Sequence, residues 1–300
     1  MHPPIHRVAR RRAWRGWVTA LLALCITTST AWSAPLVVAV SRTPLSLPLY
    51  VAEAQGFFAK EGLQPRFTEC VGGARCMRLL LDAKADVATM SDTPIMFGAF
   101  KSRDFVVFAT MVTTTDDLKL IARRASDISR AAHFAGKTVG VVHGSASHYF
   151  LDVFLLLHGI DPKSVRIVPL PPEAMREALA AGTVDAVSAW EPFAHEILRT
   201  AGDSVVVLPN PGLYRETFNL VARRSIAGVR DADLAALLRA VERAQDFIRD
   251  KPQQAQAILR ARLGVDEDFV RSVWPYLDFR LSLDQALLRT LESEARWALR

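Results

Sequence analysis

Hydroxyl residues, glycines and acids recur in this chain directly after short apolar runs. Backbone N–H groups and small hydroxyl donors are the groups that bind an oxyanion, and a helix N-terminus adds a partial positive charge. The candidates for such a site are Arg42, Gly72, Gly73, Ser91, Asp92, Thr113, Thr114, Gly144, Ser145 and Ser147. The segment HGSAS, ahead of a predicted helix over residues 146–158, is the best of these, although serine is also an ordinary helix N-cap.

Two acidic residues favour a different chemistry. Asp92 and Glu191 each close an apolar run, and two carboxylates at one site repel a simple anion and favour a cation or N–H donors. Helix capping is the alternative for Asp92. Glu191 follows Trp190, and an aromatic face beside a carboxylate suits a flat heterocycle or an amine, while Arg42 could counter an acidic group. We therefore expect a small polar organic ligand with donor and acceptor groups rather than bare nitrate.

Other residues are candidates for covering the site or for catalysis. Tyr50 stands at the start of a predicted helix, where it either covers the site or packs in the core. Ser145 or Ser147 with His148 would be the nucleophile pair of an enzyme, but GSASH lacks the flanking pattern of a nucleophile elbow. Neighbouring helical residues also point about 100° apart. No His/Cys cluster has metal-ligand spacing. We expect no catalysis, metal or cofactor.

These candidates must be positioned by an α/β framework. Short apolar strands alternate with amphipathic helices from LVVAV to DVATM, and the same alternation restarts with KTVGVV and runs to DAVSA. This spacing predicts βαβ units and a parallel sheet in each half. Ligands of such sheets bind beyond the carboxyl ends of the strands, where the candidate residues stand. The sequence therefore predicts two α/β lobes with a site at the strand ends.

Two internal repeats also indicate paired halves. DVATMSDTP resembles DAVSAWEP, and LKLIARR at 118–124 resembles FNLVARR at 218–224. After residue 224 only helical patterns remain, and these are expected to pack back on the first lobe. The chain then leaves that lobe once and returns once, so we predict that the two arginine-ended runs are adjacent crossing strands that form a hinge. The alternative is that both are ordinary buried strands ending in solvated arginines.

The first 33 residues have the pattern of a secretory signal. Five arginines precede an apolar run at 16–26, which is shorter than the roughly 20 residues of a membrane span. Cleavage is expected near Ser33 or Ala34, and a membrane anchor or a lipid-modified Cys25 are the alternatives. Removing five arginines and no acids lowers the formal charge from +6 to +1, so the electrostatic footprint of nucleic-acid binding is missing.

Two cysteines follow the leader, on either side of a Gly-Gly turn. In an oxidising compartment, a pair as close as Cys70 and Cys76 is most simply a local disulfide. So small a loop gains about 2 kcal/mol by chain-entropy reasoning. We expect the bond mainly to stiffen the turn.

Several segments together resemble a known family. YVAEAQGFFAKEGL, DVATMSDTP, GKTVGVVHGSASHYFL and GTVDAVSAWEPF, with the terminal helices, are similar to the periplasmic substrate-binding proteins of ABC importers, in the group serving sulfonates, nitrate, taurine and thiamine-pyrimidine precursors. The resemblance implies a type II fold with two crossing hinge strands and the helical tail packed on lobe one. Lobe one would hold residues 34–122 and 218–300, and lobe two residues 123–217. Cys70 and Cys76 depart from the family's cysteine-free turn.

The resemblance also implies a function. It predicts a periplasmic, monomeric solute-binding component of an ABC importer, which takes an aliphatic sulfonate, a taurine-like or a thiamine-pyrimidine-like nutrient and delivers it to an ABC permease. No nucleic acid or cofactor takes part. A receptor-coupled periplasmic sensor is the alternative, and an enzyme on the same fold is a more distant one.

Overall fold

The computed structural model describes Met1 and residues 34–210 and 212–299. The predicted leader, with Cys25, lies outside the described residues. Within them, no helix combines the length and the apolar character that a membrane crossing requires.

The described residues form eleven strands in two sheets. The strands are β1 (Val37–Ser41), β2 (Arg66–Cys70), β3 (Val87–Ser91), β4 (Phe105–Thr114), β5 (Leu118–Arg123), β6 (Thr138–Val141), β7 (Arg166–Pro169), β8 (Ala186–Trp190), β9 (Val205–Leu208), β10 (Glu216–Arg223) and β11 (Leu277–Asp278). The first sheet has the order β11-β4-β10-β3-β1-β2 and the second β7-β6-β8-β5-β9. In each sheet, three strands pair in parallel, as the βαβ pattern predicts.

Helices cover both sheets. They are α1 (Leu47–Ala54), α2 (Phe57–Lys60), α3 (Gly73–Leu81), α4 (Asp92–Lys101), α5 (Ala146–Leu157), α6 (Met175–Ala181), α7 (Phe193–Ala201), α8 (Asp231–Asp250), α9 (Pro252–Leu263), α10 (Glu267–Val273) and α11 (Gln285–Ala298). Successive strand residues enter different apolar clusters, Val38 and Ala39 in the first sheet and Leu120 and Ile121 in the second. Because side chains alternate along a strand, each sheet is buried on both faces.

The two arginine-ended runs occupy equivalent places in different sheets. LKLIAR forms β5, which pairs antiparallel with β8, and FNLVAR lies in β10, which pairs antiparallel with β3. The registers match, since Ala122 lies opposite Ala186 and Ala222 lies opposite Val87. The prediction that the two runs are adjacent is therefore wrong. The run is repeated because both lobes have the same local arrangement. In each lobe, an antiparallel strand lies beside the strand that is followed by an acid and a proline.

The repeated arginine fastens this strand pair. The Arg223 N–H donates to the Asp86 carbonyl at 2.9 Å, and its guanidinium forms an ion pair with the Asp86 carboxylate. In the second lobe, the Arg123 N–H donates to the Asp185 carbonyl, also at 2.9 Å. The Arg223 side chain therefore binds inside its lobe, whereas the Arg123 bond is a backbone contact that does not depend on the side chain.

The chain crosses between the lobes twice, at neighbouring places. It leaves the first lobe between Thr114 and Leu118 and returns between Leu208 and Glu216. Thr114 pairs with Glu216, and the Asn210 side chain donates to the Leu118 carbonyl at 3.1 Å. The crossings are thus adjacent at both ends, as in a two-segment hinge. The lobe boundaries move from the predicted 122 and 217 to these crossings, because β5 pairs in the second sheet and β10 begins in the first.

The chain after residue 224 packs on the first lobe, as predicted. Helices α8, α9 and α10 share an apolar cluster with β1 and α1. The tail is not purely helical, because β11 adds a two-residue strand to the first sheet. Helix α11 lies against α4, and its Trp297 reaches the second lobe, where Nε1 donates to the Asp152 carboxylate of α5 at 2.7 Å.

The predicted disulfide joins the end of β2 to α3. Cys70 and Cys76 are bonded and buried, with their Cα atoms 5.5 Å apart. Two consecutive glycines stand between them, and the second begins α3. The bond therefore ties the end of a strand to the first turn of the next helix.

Removing this bond is expected to cost moderate stability. Replacing Cys70 and Cys76 together with alanine should lower the free energy of unfolding by about 2 kcal/mol, because the unfolded chain regains the entropy of a small loop. Urea denaturation measures this change. Dithiothreitol should lower wild-type stability to the same level and leave the double variant unchanged; a wild-type protein indifferent to the reductant would contradict the prediction.

Candidate functional site

A cleft lies between the two lobes, beyond the carboxyl ends of β1, β3 and β8. Its lining comes from both lobes and both crossings: Ser41, Thr43, Leu45, Gly72, Gly73, Ser91, Pro94, Asp117, Leu118, Ser145, Ala146, Trp190, Glu216 and Phe218. The space between them, including the part continuous with solvent, is about 390 Å³. This is the place where α/β sheets bind small ligands.

The lobes approach each other closely across the cleft. Gly72 has φ +76°, and a Cβ atom built there would lie 3.2 Å from the Trp190 ring of the other lobe. Nearby, Arg75 of α3 forms an ion pair with Glu173 of the second lobe at 2.7 Å. Glycine is therefore needed at position 72 both for its backbone conformation and for the approach of the lobes.

Three helices begin at the cleft. Gly73 begins α3, Ser91 precedes α4 and Ser145 precedes α5. The Ser145 hydroxyl donates to the Val142 carbonyl at 2.7 Å and does not cap its own helix. Because the first N–H groups of a helix have no partner within it and carry a partial positive charge, these three N-termini suit acceptor oxygens of a ligand.

Two carboxyl groups line the same cleft, one at each crossing. Asp117 and Glu216 are 6% and 5% exposed, and burial raises the pKa of both well above the usual range. Repulsion from Asp117 raises the pKa of Glu216 further. Glu216 Oε2 has no hydrogen-bond partner within the described chain. No Lys, Arg or His occurs among the described lining residues, so these two carboxyl groups are the ionisable side chains of the described lining.

Five of the thirteen predicted contact residues line this cleft. They are Gly72, Gly73, Ser91, Ser145 and Trp190. The other eight predicted residues lie beside or behind it: Arg42, Tyr50, Asp92, Thr113, Thr114, Gly144, Ser147 and Glu191.

Asp92 and Glu191 are buried behind the cleft, not at its mouth. Asp92 accepts hydrogen bonds from the Thr217 N–H and hydroxyl at 3.2 and 3.1 Å and from the Tyr214 hydroxyl. Glu191 accepts from the His195 N–H at 3.0 Å, and burial raises its pKa to about 7. Each directly follows a strand-end residue that lines the cleft, at the point where the chain turns from the strand toward the next helix.

Arg42 and Tyr50 lie in the body of lobe one. The Arg42 guanidinium donates to the Leu263 carbonyl at 2.8 Å, away from the cleft. Tyr50 is 2% exposed, donates to the Ser41 carbonyl at 3.1 Å and has its pKa raised to about 12 by burial. Tyr50 is thus a core residue beneath the cleft rather than a cover.

The two threonines at the end of β4 also point away from the lining. The Thr113 hydroxyl accepts from Arg215 at 2.8 Å on the outer side of the first sheet. The Thr114 hydroxyl accepts from the Asp116 N–H at 3.3 Å and so shapes the first crossing.

The segment around α5 contains no assembled nucleophile. Ser145 and Ser147 are hydrogen-bonded to each other at 2.9 Å, and Ser147 is fully buried. Gly144, whose N–H approaches His148 Nδ1 at 3.4 Å, stands against Phe97. Burial lowers the pKa of His148 to about 4. Within the described chain, neither serine hydroxyl is bonded to this histidine.

The chain also matches a known family. The NMT1/THI5-like family model aligns with residues 43–255, which include the whole second sheet, β2, β3, β4 and β10 of the first sheet, and both crossings. The chain belongs to the NMT1/THI5-like family. The resemblance and the two-lobed binding-protein fold predicted from the sequence are confirmed.

The individual proteins that resemble this NMT1/THI5-like protein share only a modest part of its sequence. The taurine-binding periplasmic protein of Escherichia coli is 29% identical over 146 residues, 48% of this chain and 45% of that protein. The chain spans about half the length of the curated relatives it matches first. The alkanesulfonate-binding protein SsuA from Xanthomonas axonopodis pv. citri, bound to MOPS, has a TM-score of 0.78 at 19% identity over 88% of this chain and 92% of its own. The desulfurization enzyme DSZB has a TM-score of 0.61 at 16% identity, covering 88% and 92%.

Sequence reasoning missed the two crossing acids of this NMT1/THI5-like cleft. A signal was present, because an acid stands just before each arginine-ended run, in DDLKL and in ETFNL. The remaining unpredicted lining residues are Ser41, Thr43, Leu45, Pro94, Leu118, Ala146 and Phe218. Most are apolar, and apolar residues at strand and helix ends carry no sequence signal that separates a cleft wall from a core.

Proposed function

We propose that the protein is the solute-binding component of an ABC importer, acting as a periplasmic monomer that delivers a small polar organic nutrient to an inner-membrane permease. The observation that carries this proposal is a cleft lined from both lobes and both crossings. A solute that contacts both lobes stabilises the closed form, and a permease can distinguish that form from the open one.

The groups at the cleft favour a solute with donor and acceptor groups. Helix N-termini offer N–H donors, Asp117 and Glu216 offer acceptors, and Trp190 offers an aromatic face. Taurine-like and thiamine-pyrimidine-like molecules carry such groups together, and aliphatic sulfonates carry the acceptor part. Gly72, Gly73, Ser91, Ser145 and Trp190 are the predicted contacts that this proposal retains.

Binding without turnover is the better-supported activity on this fold. Ser145 and Ser147 bond to each other, and Cys70 and Cys76 are joined, so no serine–histidine pair or free thiol is available within the described residues. DSZB is an enzyme of the same fold, so turnover must be tested directly. Permease and ATPase genes beside the gene for this protein would favour import over receptor-coupled sensing.

A thermal-shift panel of sulfonates, taurine, pyrimidines, amines and oxyanions tests the proposal. A solute at 100 times its dissociation constant adds about 2.7 kcal/mol of stability, a shift of roughly 5–10 °C. One solute class should produce such a shift and be recovered chemically unchanged by mass spectrometry. Consumption of the solute would point to an enzyme, and a panel without any shift would contradict the proposal.

Replacing Gly72 with leucine should prevent the lobes from closing on a solute. The new side chain would stand against the Trp190 ring, because even a Cβ atom there lies 3.2 Å from it. Gly62→Leu is the matched control, since Gly62 has a similar φ of +73° but open space around it. Both variants should lose similar stability without solute, and only Gly72→Leu should lose the solute-induced shift. Equal shifts in both variants would refute closure at this contact.

A further inference from the structure

The Glu216 carboxyl group is the least satisfied polar group at the cleft. Its Oε2 is buried and has no hydrogen-bond partner in the described chain, although the residue lines the cavity. Ser91, which also lines the cleft, lowers the pKa of this carboxyl group but leaves Oε2 unpaired. A buried carboxylate without a partner is costly, so a site that keeps one gains most from a ligand that supplies a donor or a positive charge.

Asp117 places a second carboxyl group at the same cleft. It comes from the first crossing, whereas Glu216 comes from the second, and the two groups repel each other. The Glu191 carboxyl group raises the pKa of Asp117, whereas the Glu191 backbone lowers it. Lys119 is the nearby cation, but its ammonium is engaged by Asp116 at 2.7 Å and it does not line the cavity. The protein therefore brings two buried carboxyl groups to the cleft, and no Lys, Arg or His stands among the described lining residues.

We propose that Asp117 and Glu216 form an amine-binding end of the cleft, so that its solutes are small organic molecules carrying a cationic amine or equivalent N–H donors. Acceptor groups of the same molecule lie at the N-termini of α3, α4 and α5. This inference rests on the proposed solute-binding function and adds the chemical class of the solute. Molecules that unite an ammonium group with a sulfonate or carboxylate match both ends.

The placement of the acids makes them specificity-determining. An analogue without the amine leaves a buried acceptor unpaired, which lowers its affinity. Sites of this kind therefore discriminate strongly between an amine and an analogue that lacks it. Because the two carboxyl groups belong to different crossings, an amine that contacts both also links the two segments at the point where the lobes are joined. Binding of the amine and closure of the lobes are then favoured by the same contact.

Isothermal titration with matched solute pairs tests this inference. The pairs are taurine and 2-hydroxyethanesulfonate, β-alanine and 3-hydroxypropionate, and 4-amino-5-hydroxymethyl-2-methylpyrimidine and its 4-hydroxy counterpart. In at least one pair, the amine should bind at least about tenfold more tightly than the hydroxyl compound. Glu216→Gln and Asp117→Asn should each reduce that preference by about tenfold or more.

Glu294→Gln is the matched control. Glu294 is also buried with an unpaired Oε2, but it does not line the cleft. This variant should keep the wild-type preference for the amine. Thermal unfolding without solute checks that the Glu216 and Asp117 variants are folded. Glu216→Gln should be at least as stable as wild type, because the amide avoids the cost of ionising a buried carboxyl group.

The outcomes separate this inference from the proposed function. Hydroxyl compounds or plain alkanesulfonates that bind as tightly as the amines would overturn the amine-binding end and leave solute binding intact. A preference that survives both Glu216→Gln and Asp117→Asn would also overturn it. If no compound of the panel binds, both proposals fail.

Discussion

Replacing Asp92 with alanine is expected to lower the free energy of unfolding by about 3 kcal/mol. The buried carboxyl group accepts the Thr93 and Thr217 N–H groups, the Thr217 hydroxyl and the Tyr214 hydroxyl. Its removal leaves buried donors without a partner where α4, β10 and the second crossing meet. Urea denaturation at constant pH measures the loss.

Asp82→Ala is the control for this prediction. Asp82 is an exposed acid whose ion pair with Lys84 is also exposed, so its loss should change stability by no more than about 0.5 kcal/mol. If Asp92→Ala were as stable as Asp82→Ala, the hydrogen-bond network around Asp92 would contribute nothing. A stable Asp92→Ala protein with reduced solute binding would instead return Asp92 to the list of contacts.

The free energy of unfolding is expected to fall as the pH rises from 5 to 8. Burial raises the pKa of Glu191 to about 7 and that of Glu294 to about 10. Asp92, Asp117 and Glu216 shift in the same direction for the same reason. The folded protein therefore holds protons that the unfolded chain has already released. Each such carboxyl group costs about 1.4 kcal/mol per pH unit between its unfolded and folded pKa.

One histidine changes the free energy of unfolding with pH in the opposite direction. Burial lowers the pKa of His148 from 6.5 to about 4, so the unfolded chain binds its proton first and stability rises with pH between those values. The decline should therefore be steepest between pH 6.5 and 7, where His148 no longer contributes and Glu191 still does. Urea denaturation at pH 5, 6, 7 and 8 at fixed ionic strength measures the profile.

Glu191→Gln isolates one carboxyl group in this profile. The variant should lose the part of the slope that lies below pH 7 and keep the part above it, which belongs to groups such as Glu294. Stability that rises steadily from pH 5 to pH 8 would show that these carboxyl groups are ionised in the folded protein.

The fold could be predicted from the sequence because the patterns that indicate it are local and occur twice along the chain. Alternating strands and helices defined each lobe, and the all-helical pattern after residue 224 indicated a return to the first lobe. The two arginine-ended runs were recognised as a repeat, but the prediction that they are adjacent strands was wrong. A repeat signals an equivalent environment, and here that environment is the antiparallel neighbour of β3 in one lobe and of β8 in the other.

The site was harder to predict because the decisive property is the direction of a side chain. Ser91 lines the cleft and Asp92 does not, and the same holds for Trp190 and Glu191. Strand ends could be located from the sequence, but the side facing the other lobe depends on how the lobes meet. Glu216 was missed for a related reason, since it becomes a wall of the cleft only when two segments about 100 residues apart cross side by side.

The position of β10 bears on how the nascent chain matures. It lies between β3 and β4, yet it is synthesised after all five strands of the second sheet. Until it emerges, the first sheet lacks an interior strand, and β3 and β4 each offer an open edge of the kind that invites aggregation. The second lobe can thus complete its sheet first, while the first lobe keeps two open strand edges until the chain has been synthesised through residue 223.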